Sequence, residues 1–349
     1  MSGLVERLAN LLSRTRAPGG ATTGPGPGSG SPARARVGLV LGGGGVRGAS
    51  WIMGALHGIV AETGWDPATA DLLVGTSAGA VVAALTAAGA RPWDVLAPER
   101  EDLLRALMVA ATFRPEPTLR GLWFGSPALV ARALRAGPAH AMKLVAGVLP
   151  EGWVSTEPIA HLIRERAVGW PSSGRLWVVA TDYESGERVV FGRAGSPEPD
   201  LPVAVAASCA IPGFYRPVRI AGRRYVDGGV HTGANLDLVA GEALDLVFCL
   251  NPLSSRPGAA RGVHWPVRAL LHQQLAPQAR AVEESGARLI VLEPDGPSVG
   301  HIGLNPMSRR RIEEVGLAAS AEVQAYLRRP SITARLAGPP VLDSDAHRS

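Results

Sequence analysis

The chain has 349 residues, 46% of them hydrophobic and 5% aromatic, with 35 Lys+Arg against 30 Asp+Glu and a formal net charge of +5. That length holds one large α/β domain or two smaller ones with a sizeable core, and the apolar fraction excludes a chain disordered throughout. No dense Lys/Arg run is interleaved with aromatics, no apolar run reaches the ~18 residues of a membrane span, and Cys209 and Cys249 are the only cysteines, which argues against a nucleic-acid surface, a transmembrane helix and a disulfide framework.

Both cysteines sit among apolar neighbours and read as small core hydrophobes, so a reducing cytoplasm is the expected compartment. Arg supplies every cation except Lys143 and the histidines. The positive balance suits anionic lipid or phosphate ligands, and it equally suits an Arg-biased genome.

In chain order, residues 1–14 place Leu4, Val5, Leu8, Leu11 and Leu12 on one helical face, while Glu6, Arg7 and Asn10 break the apolar run. This pattern fails as a signal peptide. It predicts either a frayed leader or an amphipathic one that rests peripherally on the inner membrane surface. Residues 15–36 are rich in Gly, Pro and Ser and read as a flexible tether, so 1–36 form leader and linker. Similar composition near the other end marks 331–349 as a structureless tail. The folded unit is expected over 37–330.

Within it, a buried strand is predicted over 37–41, a helix over 49–62, a strand over 71–75 and an Ala/Val helix over 78–88. Further strands are predicted over 176–180, 246–250 and 289–292. Residues 90–170 read differently. Ser126 and Pro127 open a helix that Gly137 closes, and a second runs from Thr156-Glu157-Pro158 to Arg166. This part is expected to be a helical, lid-like segment, with Leu122, Trp123 and Phe124 either lining an apolar entrance or buried in the core. Ile312, Val315, Ala319, Val323 and Leu327 keep helical spacing in a docked helix over 307–327. Strands alternating with helices predict a three-layer α/β sandwich with a mainly parallel central sheet and helices on both faces.

Two glycine motifs sit at the ends of the first two strands. Gly43-Gly44-Gly45-Val46-Arg47-Gly48 fits the dinucleotide fingerprint G-x-G-x-x-G. That fingerprint needs an acidic residue at the end of the next strand, and Gly75-Thr76-Ser77-Ala78-Gly79 stands there instead. This second motif is G-x-S-x-G at a strand-to-helix turn, the context in which a serine hydroxyl is exposed at a strained elbow. Neighbouring strand ends in a parallel sheet converge on one edge. The N–H groups of Gly43, Gly44 and Gly45 then face the oxygen of a carbonyl attacked by Ser77, and such donors contribute about 3–4 kcal/mol each to a transition state.

The base that activates Ser77 is open on spacing alone. Asp295 and His301 supply the order Ser…Asp…His, and Asp227 leaves a strand-like run into Gly228 and Gly229. His231 is a further candidate helper, and equally a surface or packing residue. No His/Cys/acid cluster has metal-ligand spacing, so no metal or other cofactor is expected.

G-G-G-x-R-G after the first strand, G-x-S-x-G after the second and D-G-G far downstream together resemble the patatin-like phospholipases, from about residue 37 to 330. The segment 206–217 (AASCAIPGFYRP) is similar to that family's stretch before its D-G-G strand. The resemblance implies a Ser–Asp dyad without histidine: Ser77 as nucleophile and Asp227 as base, with an oxyanion loop of Gly43, Gly44, Gly45, Arg47 and Gly48. It implies lipid acyl hydrolysis, with a phospholipid or another acyl lipid as substrate. A nucleotide-binding module and a weakly catalytic acyl-lipid-binding protein are the alternatives.

Overall fold

The computed structural model describes residues 34–96, 125–136, 141–259, 265–303 and 305–337. The expected leader, most of its tether, the Leu122–Phe124 group and the tail beyond 337 lie outside the described residues. Eight strands form one sheet: β1 (Val37–Leu41), β2 (Leu72–Thr76), β3 (Leu176–Asp182), β4 (Arg188–Phe191), β5 (Val218–Ile220), β6 (Arg223–Asp227), β7 (Leu246–Leu250) and β8 (Arg288–Leu292). The helices are α1 (Gly45–Thr63), α2 (Ala78–Ala87), α3 (Pro127–Ala136), α4 (Ala141–Val148), α5 (Glu157–Arg166), α6 (Leu201–Ser208), α7 (Trp265–Glu284), α8 (Gly296–Ile302), α9 (Ile312–Leu327) and α10 (Pro330–Ala337).

The central strands are buried along their whole length, as parallel strands covered on both faces must be. Alternate residues divide between two cores. Val37, Leu39 and Leu41 join Trp51, Ile52 and Leu56 of α1, Val82 of α2, Val205 of α6 and Val315 of α9. Val40, Val74, Val179 and Val247 face the other way, against Leu236, Leu238 and Leu275 and Val282 of α7. This is the three-layer α/β sandwich of the sequence reading. Cys249 lies in the second core and Cys209 in the first, and both are free thiols.

The strand order is β5-β6-β3-β2-β1-β7-β8, with β4 added on β3. β1, β2, β3, β7 and β8 run parallel, whereas β4, β5 and β6 are antiparallel to their neighbours. β3 has more partners than a strand has edges. Its residues 178–181 pair with β4, 176–179 with β2 and 180–182 with β6. Because β4 shares residues with both of the others, it must hold one edge alone. β2 and β6 therefore lie end to end along the opposite edge, meeting at Val179 and Ala180.

α3 and α4 pack together and rest on this edge. Leu129 and Ala146 bury against Tyr183, Val226 and Val230, and the Tyr183 hydroxyl donates to the Ala146 carbonyl at 2.9 Å. Several elements escaped the sequence reading: β4, β5, α6, α8 and α7, which carries Pro277 inside it. The chain is also helical over Pro330–Ala337, where a structureless tail was expected.

α1 lies very close to α9. A Cβ on Gly54 would stand 2.0 Å from the Gly316 carbonyl oxygen, and one on Gly58 would stand 2.7 Å from that of Ser320. The expected outcome for Gly54→Ala follows from two opposed effects. Helix propensity favours Ala by ~1 kcal/mol, but overpacking typically costs about 1–3 kcal/mol, and the clash here is with backbone that has no rotamer to change. Chemical denaturation should show net destabilisation; a stabilised variant would mean the helices separate freely.

Candidate active site

Ser77 follows β2 and caps α2, with φ 54° and ψ −122°. Such a backbone is strained for a residue with a Cβ, at a cost of about 1–3 kcal/mol, and its surroundings hold it there. The Ser77 N–H donates to the Ser208 hydroxyl at 2.9 Å, and that hydroxyl donates to the Val179 carbonyl at 2.6 Å. The flanking glycines are required by packing. A Cβ on Gly79 would stand 2.1 Å from the Leu41 carbonyl oxygen, and one on Gly75 would stand 2.5 Å from the Ala80 Cα. The spacing of G-x-S-x-G is thus the spacing of two backbone crossings around one tight turn.

Asp227 ends β6 opposite Ala180, while Thr76 ends β2 opposite Val179. The residue after Thr76 therefore meets Asp227 across the junction of the two strands. The Ser77 hydroxyl lies near enough to the Asp227 carboxyl to lower its proton affinity, and the Gly229 N–H donates to its Oδ1 at 2.8 Å. Gly228 crosses so close to β3 that a Cβ there would lie 2.4 Å from the Val179 carbonyl oxygen. Both Ser77 and Asp227 are buried. Burial pushes the Asp227 carboxyl up to about 6, against the Ser77 hydroxyl and the Gly229 N–H, which pull it down. A buried carboxyl with raised proton affinity beside a hydroxyl is suited to accept that hydroxyl's proton.

The glycine loop lies beside the elbow: a Cβ on Gly43 would touch the Ser77 Cβ at 3.4 Å. Its donors are not equivalent. The Gly43 N–H already donates to the Gly233 carbonyl at 2.9 Å, and Gly42 donates to Leu250. Gly44 and Gly45 begin α1, where N–H groups have no partner within the helix. Gly45 has φ +60°, and a Cβ there would meet the Met307 sulfur at 2.7 Å. Gly48 donates to the Gly44 carbonyl and packs on Pro252. The guanidinium of Arg47, the loop's arginine, bonds to the Ile302 carbonyl at 2.8 Å and the Ser308 hydroxyl at 2.9 Å. Its N–H donates to Pro306. Arg47 fastens the loop to residues 302–308.

The remaining candidates are placed elsewhere. Asp295 caps α8 through the Gly296 N–H, and His301 faces Glu314 at 4.0 Å. His231 follows the 228–230 turn and lines a cavity bounded by α3, α4 and the β3–β4 turn. Sequence reasoning missed Ser208 as the elbow's support, although its segment had drawn notice. It also missed Asn235, fully buried, whose Nδ2 donates to the Thr76 hydroxyl at 3.1 Å and the Thr232 carbonyl at 2.8 Å. Among the described residues no group of three or more His, Cys, Asp and Glu side chains is arranged for a metal, and no helix is long and apolar enough to cross a membrane.

With this geometry in place, comparison with known proteins assigns the class. The family model described as patatin-like phospholipase matches residues 39–240, and the chain belongs to that family. Lipid acyl hydrolysis is the activity at family level. Uncharacterized NTE family proteins of Mycobacterium tuberculosis and Mycobacterium bovis are 28% identical over 306 residues, covering 87% of this chain and 70% of theirs. Among solved structures, VipD from Legionella pneumophila aligns with a TM-score of 0.37 and 13% identity, over 84% of this chain and 67% of that one.

The buried carboxyl has a consequence for stability. Because its proton affinity is higher in the folded chain than in the unfolded one, ionisation opposes folding: that stability is full below about pH 4 and lost as pH rises through about 6. Asp227→Asn removes the charge and should stabilise by about 3 kcal/mol at pH 8, shrinking below about 1 kcal/mol near pH 4. Thermal melts of both proteins at the two pH values check this; an advantage that does not depend on pH would refute it.

Proposed function

We propose that the chain cleaves acyl esters of a phospholipid or other acyl lipid through Ser77 and Asp227. The observation that carries this reading is the meeting of two strand ends that sets Ser77, held at a strained elbow, beside a buried carboxyl of raised proton affinity. Ser77 Oγ attacks the ester carbonyl while Asp227 takes its proton. The tetrahedral oxyanion is held by the N–H groups of Gly44 and Gly45 at the positive end of α1. Asp227 returns the proton to the departing alkoxide, leaving an acyl-enzyme. Water then attacks the acyl carbonyl, Asp227 takes its proton and passes it to Ser77 Oγ as the acyl bond breaks, and the fatty acid leaves with Ser77 restored.

Gly43 has a different part in this scheme. Its donor is engaged by Gly233, so it fixes the loop, and its missing side chain leaves room beside Ser77. Arg47 acts through the loop by tying it to residues 302–308. The unit 37–330 is the catalytic domain in this reading.

Asp227→Asn should lower hydrolysis of a soluble short-chain ester by about 10²–10⁴-fold, and Ser77→Ala by at least as much. The double variant should be little worse than either, since the two groups act as one unit. Fluorophosphonate labelling should mark Ser77 and vanish in Ser77→Ala. His301→Ala should stay near wild type; if it were dead while Asp227→Asn kept its activity and fold, a Ser–His–Asp hydrolase would replace the dyad.

The proton affinity of Asp227 also sets a pH dependence. The base is the ionised carboxyl, so kcat/KM should rise with pH through about 6 and level off above it. A profile flat between pH 5 and 8 would remove Asp227 from the proton-transfer role.

A further inference from the structure

The paired helices α3 and α4 carry two features that their packing on the sheet leaves unused. The first is apolar. Met142, Val145 and Val148 recur at three-residue spacing on α4 and are 50%, 51% and 47% exposed, which places them on one outward stripe. Leu134 of α3 is 65% exposed, and Trp153, just beyond α4, is 51% exposed. Exposed apolar side chains gathered on one pair of packed helices mark a surface for another apolar body.

The second feature is charge. α3, α4 and the β3–β4 turn enclose a groove of about 770 Å³ lined by Arg132, Arg135, Lys143 and Arg188, with Glu187 and His231. Arg188 is held by Asp237 through two contacts of 2.7 Å. Arg132 and Arg135, one turn apart, are exposed on α3. Burial and the neighbouring Arg188 hold the Lys143 amine below its usual range, so cations are crowded here.

The position completes the argument. The buried side of the same helices touches Val226 and Val230, immediately before and after the Asp227 turn. An apolar stripe beside a cationic groove matches a bilayer, which offers acyl chains below a layer of phosphates. Trp and the long Arg side chains suit the boundary between those layers.

We infer that the outward face of α3 and α4 docks the protein on a lipid surface bearing anionic head groups, with the apolar stripe entering the acyl boundary and Arg132, Arg135 and Lys143 meeting phosphates. This rests on the lipid hydrolase reading and adds where the lipid is met. It makes α3 and α4 a platform whose inner side packs on the residues flanking Asp227.

The test uses the full chain carrying Ser77→Ala, so that binding is read without turnover, and sedimentation with vesicles of phosphatidylcholine alone or mixed equally with phosphatidylglycerol. Binding should be stronger on the mixed vesicles and should weaken with salt. Met142→Glu with Val145→Glu should lower it by about tenfold or more, and Arg132→Glu with Arg135→Glu should lower it by a similar factor on the mixed vesicles only. With Ser77 restored, both pairs should hydrolyse a soluble ester at the wild-type rate and melt as the wild type does, which separates this proposal from the dyad. Unchanged vesicle binding by both pairs overturns it. So does a groove variant that loses affinity for inorganic phosphate but not for vesicles, since the groove would then serve a soluble anion. An apolar variant that changes the protein's mass in solution but not its vesicle binding also overturns it, because the face would then join two copies of the chain.

Discussion

The end-to-end meeting of β2 and β6 on one edge of β3 is the constraint from which the rest follows. A strand has only two hydrogen-bonding edges, and β4 occupies one of them from 178 to 181. The parallel β2 and the antiparallel β6 are left to divide the other at Val179 and Ala180. One strand contributes the residue that follows it, Ser77, and the other contributes its last residue, Asp227. Two chain ends 150 residues apart are thereby set at the same height on the sheet, on rigid backbone instead of mobile loops. The Ser208 hydroxyl fixes one side of the junction through the Ser77 N–H and the Val179 carbonyl. Asn235 fixes the other through the Thr76 hydroxyl.

This arrangement holds two unfavourable groups at once. A serine with positive φ and an ionisable carboxyl 6% exposed each oppose folding. Neither would persist at the surface of a loosely packed domain. They persist because the surrounding strands are buried on both faces and because the crossings at Gly75, Gly79 and Gly228 leave no room for the chain to relax.

What the sequence made legible was what is encoded locally. A strand followed by glycines, or a serine between two glycines at a strand end, is written within five or six residues, and both motifs fell where expected. The docked helix α9 was legible from its spacing. What escaped notice depends on distant partners. β4 and β5 are only four and three residues long, too short for a periodic signal. α7 was obscured by an internal proline and a weakly amphipathic composition. Nothing within the 43–48 motif says that Gly43 spends its donor on Gly233 or that Arg47 turns toward residues 302–308. Ser208 and Asn235 become informative only once the register of β3 with its three neighbours is known.

The attachment of the glycine loop to residues 302–308 bears on how the protein is made. The motif from 43 to 48 leaves the ribosome early, followed by Ser77 and, much later, Asp227. The Pro306 carbonyl, the Ser308 hydroxyl and the helix that packs over Gly54 and Gly58 are synthesised after Asp227. A nascent chain that has emerged only as far as β8 carries both the hydroxyl and the carboxyl, yet its loop lacks the ties that Arg47 makes to residues 302–308. Maturation of the site is in this sense tied to the emergence of residues 302–327.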